Sequence, residues 1–371
     1  MPYLGGINEG GEIMEFHSGL NLLLEALSYL GRRADGYGTD WMLQRLHSRG
    51  VEDMGTIEAQ LVPIDRLMKN LDQAVKVDEE RLAYLFGNLP GFAHNTFGAH
   101  SRGFLLLYPM IAVYRGDLQT ALEQRRSCPK EQIAGDLAMM LDLGEEPRLS
   151  GEELTARILS LNVPDVSKVA VLELYHRGGE LLDEAVALVE QVLTQLEQET
   201  ALLGECCAGF LRQIREQGPE ALLDQTSALN FSPERTDMIR PFLFGIDALL
   251  TVPPYASSSV QVYCGILRSD LQTALATARG AEVEVYEAIR LLADQTRFDI
   301  LCYLHDRDAY GQELATRFGL SRNTIHHHMS KLLAAHLVKC TVDGNRVYYR
   351  VDEMSVSRLL DRQRELLLPG K

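Results

Sequence analysis

Several large functional classes are excluded by what this sequence has little of. Its longest uncharged apolar run is residues 103–114. A bilayer-spanning helix needs ~18–20 such residues, so no membrane contact is expected. The first basic residue is Arg32, whereas a secretory leader carries its positive charge earlier. A cytoplasmic location is therefore the expectation. The six cysteines (Cys128, Cys206, Cys207, Cys264, Cys302, Cys340) form no CxxC pair, and their scatter reads as reduced thiols rather than a disulfide framework. Catalytic signatures are missing too: there is no GxSxG, P-loop, HExxH, or GxGxxG following a strand. Paired carboxylates such as Glu145-Glu146 and Glu152-Glu153 read as solvated helix starts. No enzyme and no cofactor are expected.

What is present is an ordinary globular composition, 46% hydrophobic and 24% charged over 371 residues. That length exceeds what one hydrophobic core usually serves, so at least two domains are expected. The net charge of −16 would by itself argue against a polyanionic partner, but it is unevenly placed. Residues 281–371 hold thirteen Lys+Arg and thirteen Asp+Glu, so the remainder carries the whole −16. Within 315–350 there are six basic residues (Arg317, Arg322, Lys331, Lys339, Arg346, Arg350) against one acid, Asp343, plus four histidines. A local cationic surface on an acidic protein points to nucleic acid.

The fold class expected is mainly α with small β elements, an α-rich N-terminal domain (1–280) preceding a C-terminal winged helix-turn-helix (281–371). Leu20, Leu23, Leu24, Leu27 and Leu30 have the spacing of one helix face, as do Leu181, Ala185, Leu188, Val192 and Leu196. Glycine and proline breaks at 177–180 and 218–219 separate helical stretches. The runs 242–250 and 260–266 are the strand candidates. The similar segments 115–122 and 268–275 read as two Asp-capped helix starts. Near Gly280 the pattern changes, and Val283, Tyr286, Ile289, Leu292 and Ala293 begin a new helical stripe behind Glu282 and Glu284.

Residues 312–329 (QELATRFGLSRNTIHHHM) have the order of a helix-turn-helix. A short helix turns Leu314 and Phe318 inward, with small Ala315 where a second helix must approach. Gly319 supplies a left-handed stop, and Ser321 caps the next helix. On that second helix Ile325, Met329, Leu332, Leu333 and His336 fall in one arc. Asn323, Thr324, His327, Ser330 and Lys331 fall in the other, with Arg322 and His326 near the N-terminal end. An apolar back and a hydrogen-bonding front are what a major-groove recognition helix needs. Two β-rich runs then flank Asp343-Gly344-Asn345, residues suited to a tight hairpin. Lys339, Arg346 and Arg350 place cations on this hairpin, which reads as a wing.

The motifs Leu291-Leu-Ala-Asp-Gln-Thr-Arg-Phe-Asp-Ile-Leu301, Glu313-Leu-Ala, Gly319-Leu-Ser, Thr324-Ile-His-His-His-Met, His336-Leu-Val and Arg346-Val-Tyr-Tyr resemble the ArsR-type winged-helix regulators, over about the last quarter of the chain. That resemblance implies a repressor: a symmetric homodimer, built from helices over 282–292 and 353–368, on double-stranded DNA carrying an inverted-repeat operator. The DNA-binding residues expected are Ser321, Arg322, Asn323, Thr324, His326, His327, Ser330, Lys331 and Arg346. The family's metal sensors place Cys-x-Cys where this chain has Tyr310, Gly311 and Gln312, or histidines on the last helix, where nothing after His336 is a histidine. No metal is expected at either place. The triplet His326-His327-His328 diverges by 100° per residue and cannot share one ion; His328, at the border of the arcs, reads as a packed residue.

For the N-terminal domain the expected role is sensing a small-molecule effector of unknown identity. The alternatives are a protein-docking module or an enzyme with an appended DNA-binding domain. Cys206-Cys207, Cys302, Cys340 and Trp41 read as core residues. The loop 87–103, with His94 and His100, reads as a surface connection.

Overall fold

A computed structural model describes residues 4–7, 13–16, 19–48, 51, 54–92, 97–141, 143–144, 146–217, 229–230, 236–252, 260–278, 281–320, 322–343 and 346–368. The fold is mainly α with small sheets. After strands β1 (Leu4–Ile7) and β2 (Ile13–Phe16) come α1 (Leu22–Ala34), α2 (Thr39–His47), α3 (Gly55–Ala74), α4 (Glu79–Phe86), α5 (Arg102–Ile111), α6 (Leu118–Arg126), α7 (Lys130–Met140), α8 (Gly151–Leu159), α9 (Asp165–Gln198) and α10 (Thr200–Gln217). Strands β3 (Leu229–Asn230), β4 (Thr236–Phe242), β5 (Leu249–Val252) and β6 (Val260–Gly265) follow, then α11 (Arg268–Ala278). One sheet has the order β1-β2-β4-β6-β5, parallel at β2–β4 and β4–β6 and antiparallel at both edges.

The leucine-spaced stretch near residue 20 forms α1 as expected, but this helix is buried on every side from Leu23 to Arg32. A helix hydrophobic all round belongs inside a core, and α1 also carries Asn21, Glu25, Ser28 and Arg32 into it. The N–H groups of Leu243 and Phe244 donate to Glu25 Oε1 and Oε2, both at 2.8 Å. Arg32 Nη1 donates to the Phe244 carbonyl at 3.3 Å. These bonds serve a turn over 243–248 that is buried from Leu243 to Ile246, so the apolar run 242–250 is not one strand: only its ends join β4 and β5. Apolar content alone does not distinguish a buried turn from a buried strand. The other candidate, 260–266, is β6.

Three further expectations are corrected. The glycines at 178 and 179 do not break a helix, because α9 runs unbroken through them. A Cβ at Gly178 would lie 3.2 Å from Leu106 Cδ2, so the glycine lets α5 and α9 approach closely, and packing outweighs a propensity cost of ~1 kcal/mol per glycine. The loop before α5 is not a plain surface connection. Phe97 lies edge-on to Phe242 at 5.4 Å, His100 stacks on Phe92 at 5.2 Å, and Ser101 caps α5; His94 lies outside the described residues. Asp117 caps α6 as expected, accepting from Gln119 and Thr120, whereas Asp270 sits inside the first turn of α11 and accepts from Gln60 instead. Helix α10 ends at Gln217, immediately before 218–219, which lie outside the described residues. Cys206 and Cys207 are core residues, and burial pushes the Cys206 thiol up to about 12 and Cys207 higher still. Trp41 is half-buried against the core and Tyr37.

The chain continues with α12 (Ala281–Leu292), α13 (Gln295–Tyr303), β7 (Ala309–Tyr310), α14 (Gly311–Phe318), α15 (Arg322–Ala334), β8 (Val338–Asp343), β9 (Arg346–Val351) and α16 (Glu353–Leu367). Its buried side chains, from Ile300 to Val351, form a hydrophobic cluster separate from the one spanning Leu23 to Leu271. The second sheet has the order β3-β8-β9-β7. Its outer strand, β3, comes from before residue 280 and lies parallel to β8.

Candidate nucleic-acid interface

Helix α14 begins where the Tyr310 N–H donates to Glu313 Oε2 at 3.1 Å. It buries Leu314 and Ala315 and leaves Phe318 half-buried. It stops at Gly319, whose φ of 65° and ψ of 30° are left-handed and whose N–H donates to Ala315. That conformation costs a residue with a Cβ ~1–2 kcal/mol, so glycine here sets the angle to the next helix. Ser321 lies outside the described residues.

Helix α15 rests on the cluster through Ile325, Met329 and Leu332, all buried, with Leu333 half-buried beside them. His336 is not on this arc. It is exposed, beyond the helix end, with φ 56°. His328 is packed, its Nδ1 3.8 Å from Asp294 Oδ1. Asp294 also caps α13 by accepting the Arg297 N–H at 3.0 Å. That hydrogen bond, assisted by the Arg297 guanidinium and then His328, holds the Asp294 carboxyl below the usual carboxylate range. One acid thus ties the start of α13 to the flank of α15. Sequence reasoning passed over this residue, although an Asp just ahead of a helical stripe is a cap signal.

On the opposite arc Ser330 and Lys331 are exposed and Thr324 is half-buried. Arg322, Asn323, His326 and His327 occupy α15, and Arg346 begins β9, but their side chains lie outside the described residues. The two wing strands pair antiparallel from Val338↔Val351 to Asp343↔Arg346, which leaves a two-residue connection, Gly344-Asn345, itself outside the described residues. Arg350 is already engaged: its Nε lies 2.6 Å from Asp308 Oδ1. Cys340 is buried, with its thiol pushed up to about 12 by that burial, while Cys302 is exposed rather than a core residue. At the first motif helix, where Tyr310, Gly311 and Gln312 stand, the Tyr310 ring meets Tyr348 edge-on at 5.5 Å. Among the described residues no group of three or more His, Cys, Asp or Glu could hold a metal ion, and no helix is long and apolar enough to cross a membrane.

Flanking helices α12 and α16 are mutual neighbours. They leave large apolar side chains in solvent: Tyr286 (63% exposed) and Ile289 on α12, Met354 (72% exposed), Leu360 and Leu367 on α16. No residue of α16 is buried.

Comparison with known proteins places these elements among transcription regulators. Residues 292–341 match a family model described as a helix-turn-helix domain. The chain is 37% identical over 76 residues to the HTH-type transcriptional regulator KmtR of Mycobacterium tuberculosis, a match covering 20% of this chain and 58% of that protein. It is 35% identical over 79 residues to the HTH-type transcriptional regulator CmtR of Mycobacterium bovis, covering 21% of this chain and 67% of that protein. Reduced HlyU from Vibrio cholerae is 23% identical, with a TM-score of 0.20 over 24% of this chain and 92% of HlyU.

Proposed function

The chain belongs to the ArsR-type helix-turn-helix transcriptional regulators, and from that premise we propose that it is a sequence-specific repressor that binds an inverted-repeat operator as a homodimer. The observation that carries this reading is the division of α15: its back is locked into the cluster by Ile325, Met329 and Leu332, while Ser330 and Lys331 stand in solvent. A helix so held can enter a major groove without disturbing its own core. Arg322, Asn323, Thr324, His326, His327, Ser330 and Lys331, with Ser321 at the cap, would meet bases and phosphates, and Arg346 would reach from the wing. The exposed apolar side chains of α12 and α16 support the dimer, since they lie on the two helices that bracket the winged motif. The domain division at residue 280 is part of the proposal. It is supported by the two separate hydrophobic clusters, with β3 lent to the wing sheet.

For the N-terminal domain, the proposed role is regulatory and non-enzymatic. A small-molecule effector would act by favouring one spacing of the two winged helices, which requires different affinities for the two arrangements. The docking alternative draws support from Leu159, Val166 and Val169, exposed where α8 gives way to α9; Lys168 Nζ donates to the Leu159 carbonyl at 3.1 Å across this corner. The test is to recover genomic fragments with the purified protein and footprint them. Protection of two inverted half-sites about one helical turn (~34 Å) apart is expected. Uniform, sequence-independent protection would refute the operator reading. A recovered operator then lets candidate ligands be titrated for a change in affinity.

A further inference from the structure

Beside the turn of the helix-turn-helix lies an open recess of about 520 Å³, formed by the end of α13, the segment after it and the end of α14. Its wall is Tyr303, whose ring has the Arg307 guanidinium 4.8 Å and the Arg317 guanidinium 5.7 Å from its centroid, with Phe318 edge-on at 5.9 Å. The two acids of the recess are already occupied. Asp306 holds Arg307 through both carboxylate oxygens, at 2.8 and 3.0 Å, and Asp299 accepts from Gln295 at 2.8 Å. Arg317 is exposed, and no acidic group among the described residues pairs with it. It differs in this from Arg297, Arg307 and Arg350, each matched to an aspartate.

An unmatched guanidinium beside an aromatic ring keeps its planar fork of donors for an incoming anion, and that fork suits the oxygens of a phosphate. Arg317 lies on the first helix of the motif, the one that crosses the nucleic-acid backbone in this class of docking. We propose that Arg317, steadied by Tyr303 at the mouth of this recess, binds a backbone phosphate of the duplex, as a contact additional to the recognition helix and the wing. This rests on the DNA-binding reading above. It adds a cation that reads no base and so raises affinity for every sequence equally.

The experiment measures binding of the full chain to a recovered genomic fragment and to a random-sequence duplex across a salt series, for the wild type, Arg317→Gln and Arg317→Lys. Loss of one phosphate contact should reduce the slope of log K against log salt by ~0.9, which corresponds to about an eightfold loss near ~0.1 M salt. Arg317→Gln is expected to show this loss on both duplexes, and Arg317→Lys to restore the slope because it restores the charge. Inorganic phosphate titrated against the DNA-free protein, followed by the Arg317 side-chain NMR signal, separates a small-anion site from a backbone contact. Wild-type protein that binds neither duplex overturns the DNA-binding reading itself. Wild-type binding with an unchanged slope in Arg317→Gln overturns the inference alone, whether or not inorganic phosphate shifts the Arg317 signal. A slope that Arg317→Lys fails to restore also overturns it, since a purely structural role would then explain the loss.

Discussion

Glu25 is a carboxyl group in the middle of a core. Burial raises its pKa from 4.5 to about 8, against the pull of the Leu243 and Phe244 N–H groups, which favour the charged form. The folded chain therefore keeps this proton where the unfolded chain has released it. Between pH ~4.5 and ~8 stability falls as pH rises, at up to ~1.4 kcal/mol per unit, and it is flat with respect to this group outside that window. Denaturant melts of the wild type and Glu25→Gln should diverge in slope against pH across that window, the glutamine variant lacking this group's contribution. A glutamine side chain has a single acceptor oxygen for the two N–H donors, so Glu25→Gln should also be the less stable protein at acid pH. Asn323 carries the corresponding prediction for recognition. On an adenine edge its side chain would form paired hydrogen bonds, so Asn323→Ala should cost ~1–3 kcal/mol on the operator and relax preference at one base pair. Competition against single-base operator variants checks this; an equal loss on every sequence would assign Asn323 to the backbone instead.

Helix α14 ends at a left-handed glycine before helix α15 begins. Gly319 has open space around its missing Cβ and a φ of 65°, so the cost of Gly319→Ala is conformational rather than steric. A loss of ~1–2 kcal/mol is expected in thermal unfolding of the winged cluster. Operator affinity should fall further than stability alone explains, because the turn sets how α15 is presented. Such elements were legible in the sequence because their signals are local: a glycine stop, a helical period on Ile325, Met329 and Leu332, and two β-rich runs around Asp343. The N-terminal elements were less so, because distant partners decide them. Gly178 packs α9 closely against Leu106, and the turn over 243–248 is held by a carboxyl group more than two hundred residues away. A glutamate in an apolar helix is normally read as its wet side, yet α1 has none. The exposure of Ser330 and Lys331 opposite the buried stripe followed from spacing, whereas Arg317 needed the positions of Asp294, Asp306 and Asp308 before its unmatched charge stood out.

Across the whole molecule, charge and exposed apolar surface constrain each other. Each chain carries −16, and the 281–371 segment is neutral, so two copies bring twice that acidity close to a polyanion. Within a Debye length of ~8 Å at physiological salt this repels, so the proposed DNA-bound dimer is expected to join through a surface that keeps the acidic N-terminal core away from the duplex. Helices α12 and α16 are the candidates: they bracket the winged motif, and Tyr286, Ile289, Met354, Leu360 and Leu367 offer apolar area that a lone chain leaves in water. Leu360→Asp places a charge in that surface, and the paired Leu360 of a second copy doubles the repulsion. If the proposed dimer forms through this surface, sedimentation should show a dimer for the wild type and a monomer for Leu360→Asp, with the melting of the N-terminal core unchanged, because Leu360 contributes nothing to it. Operator affinity should drop by more than any single base contact is worth, since each half-site then has to be bound independently. A Leu360→Asp protein that stays dimeric and footprints both half-sites would move the two-fold axis to another face of the chain.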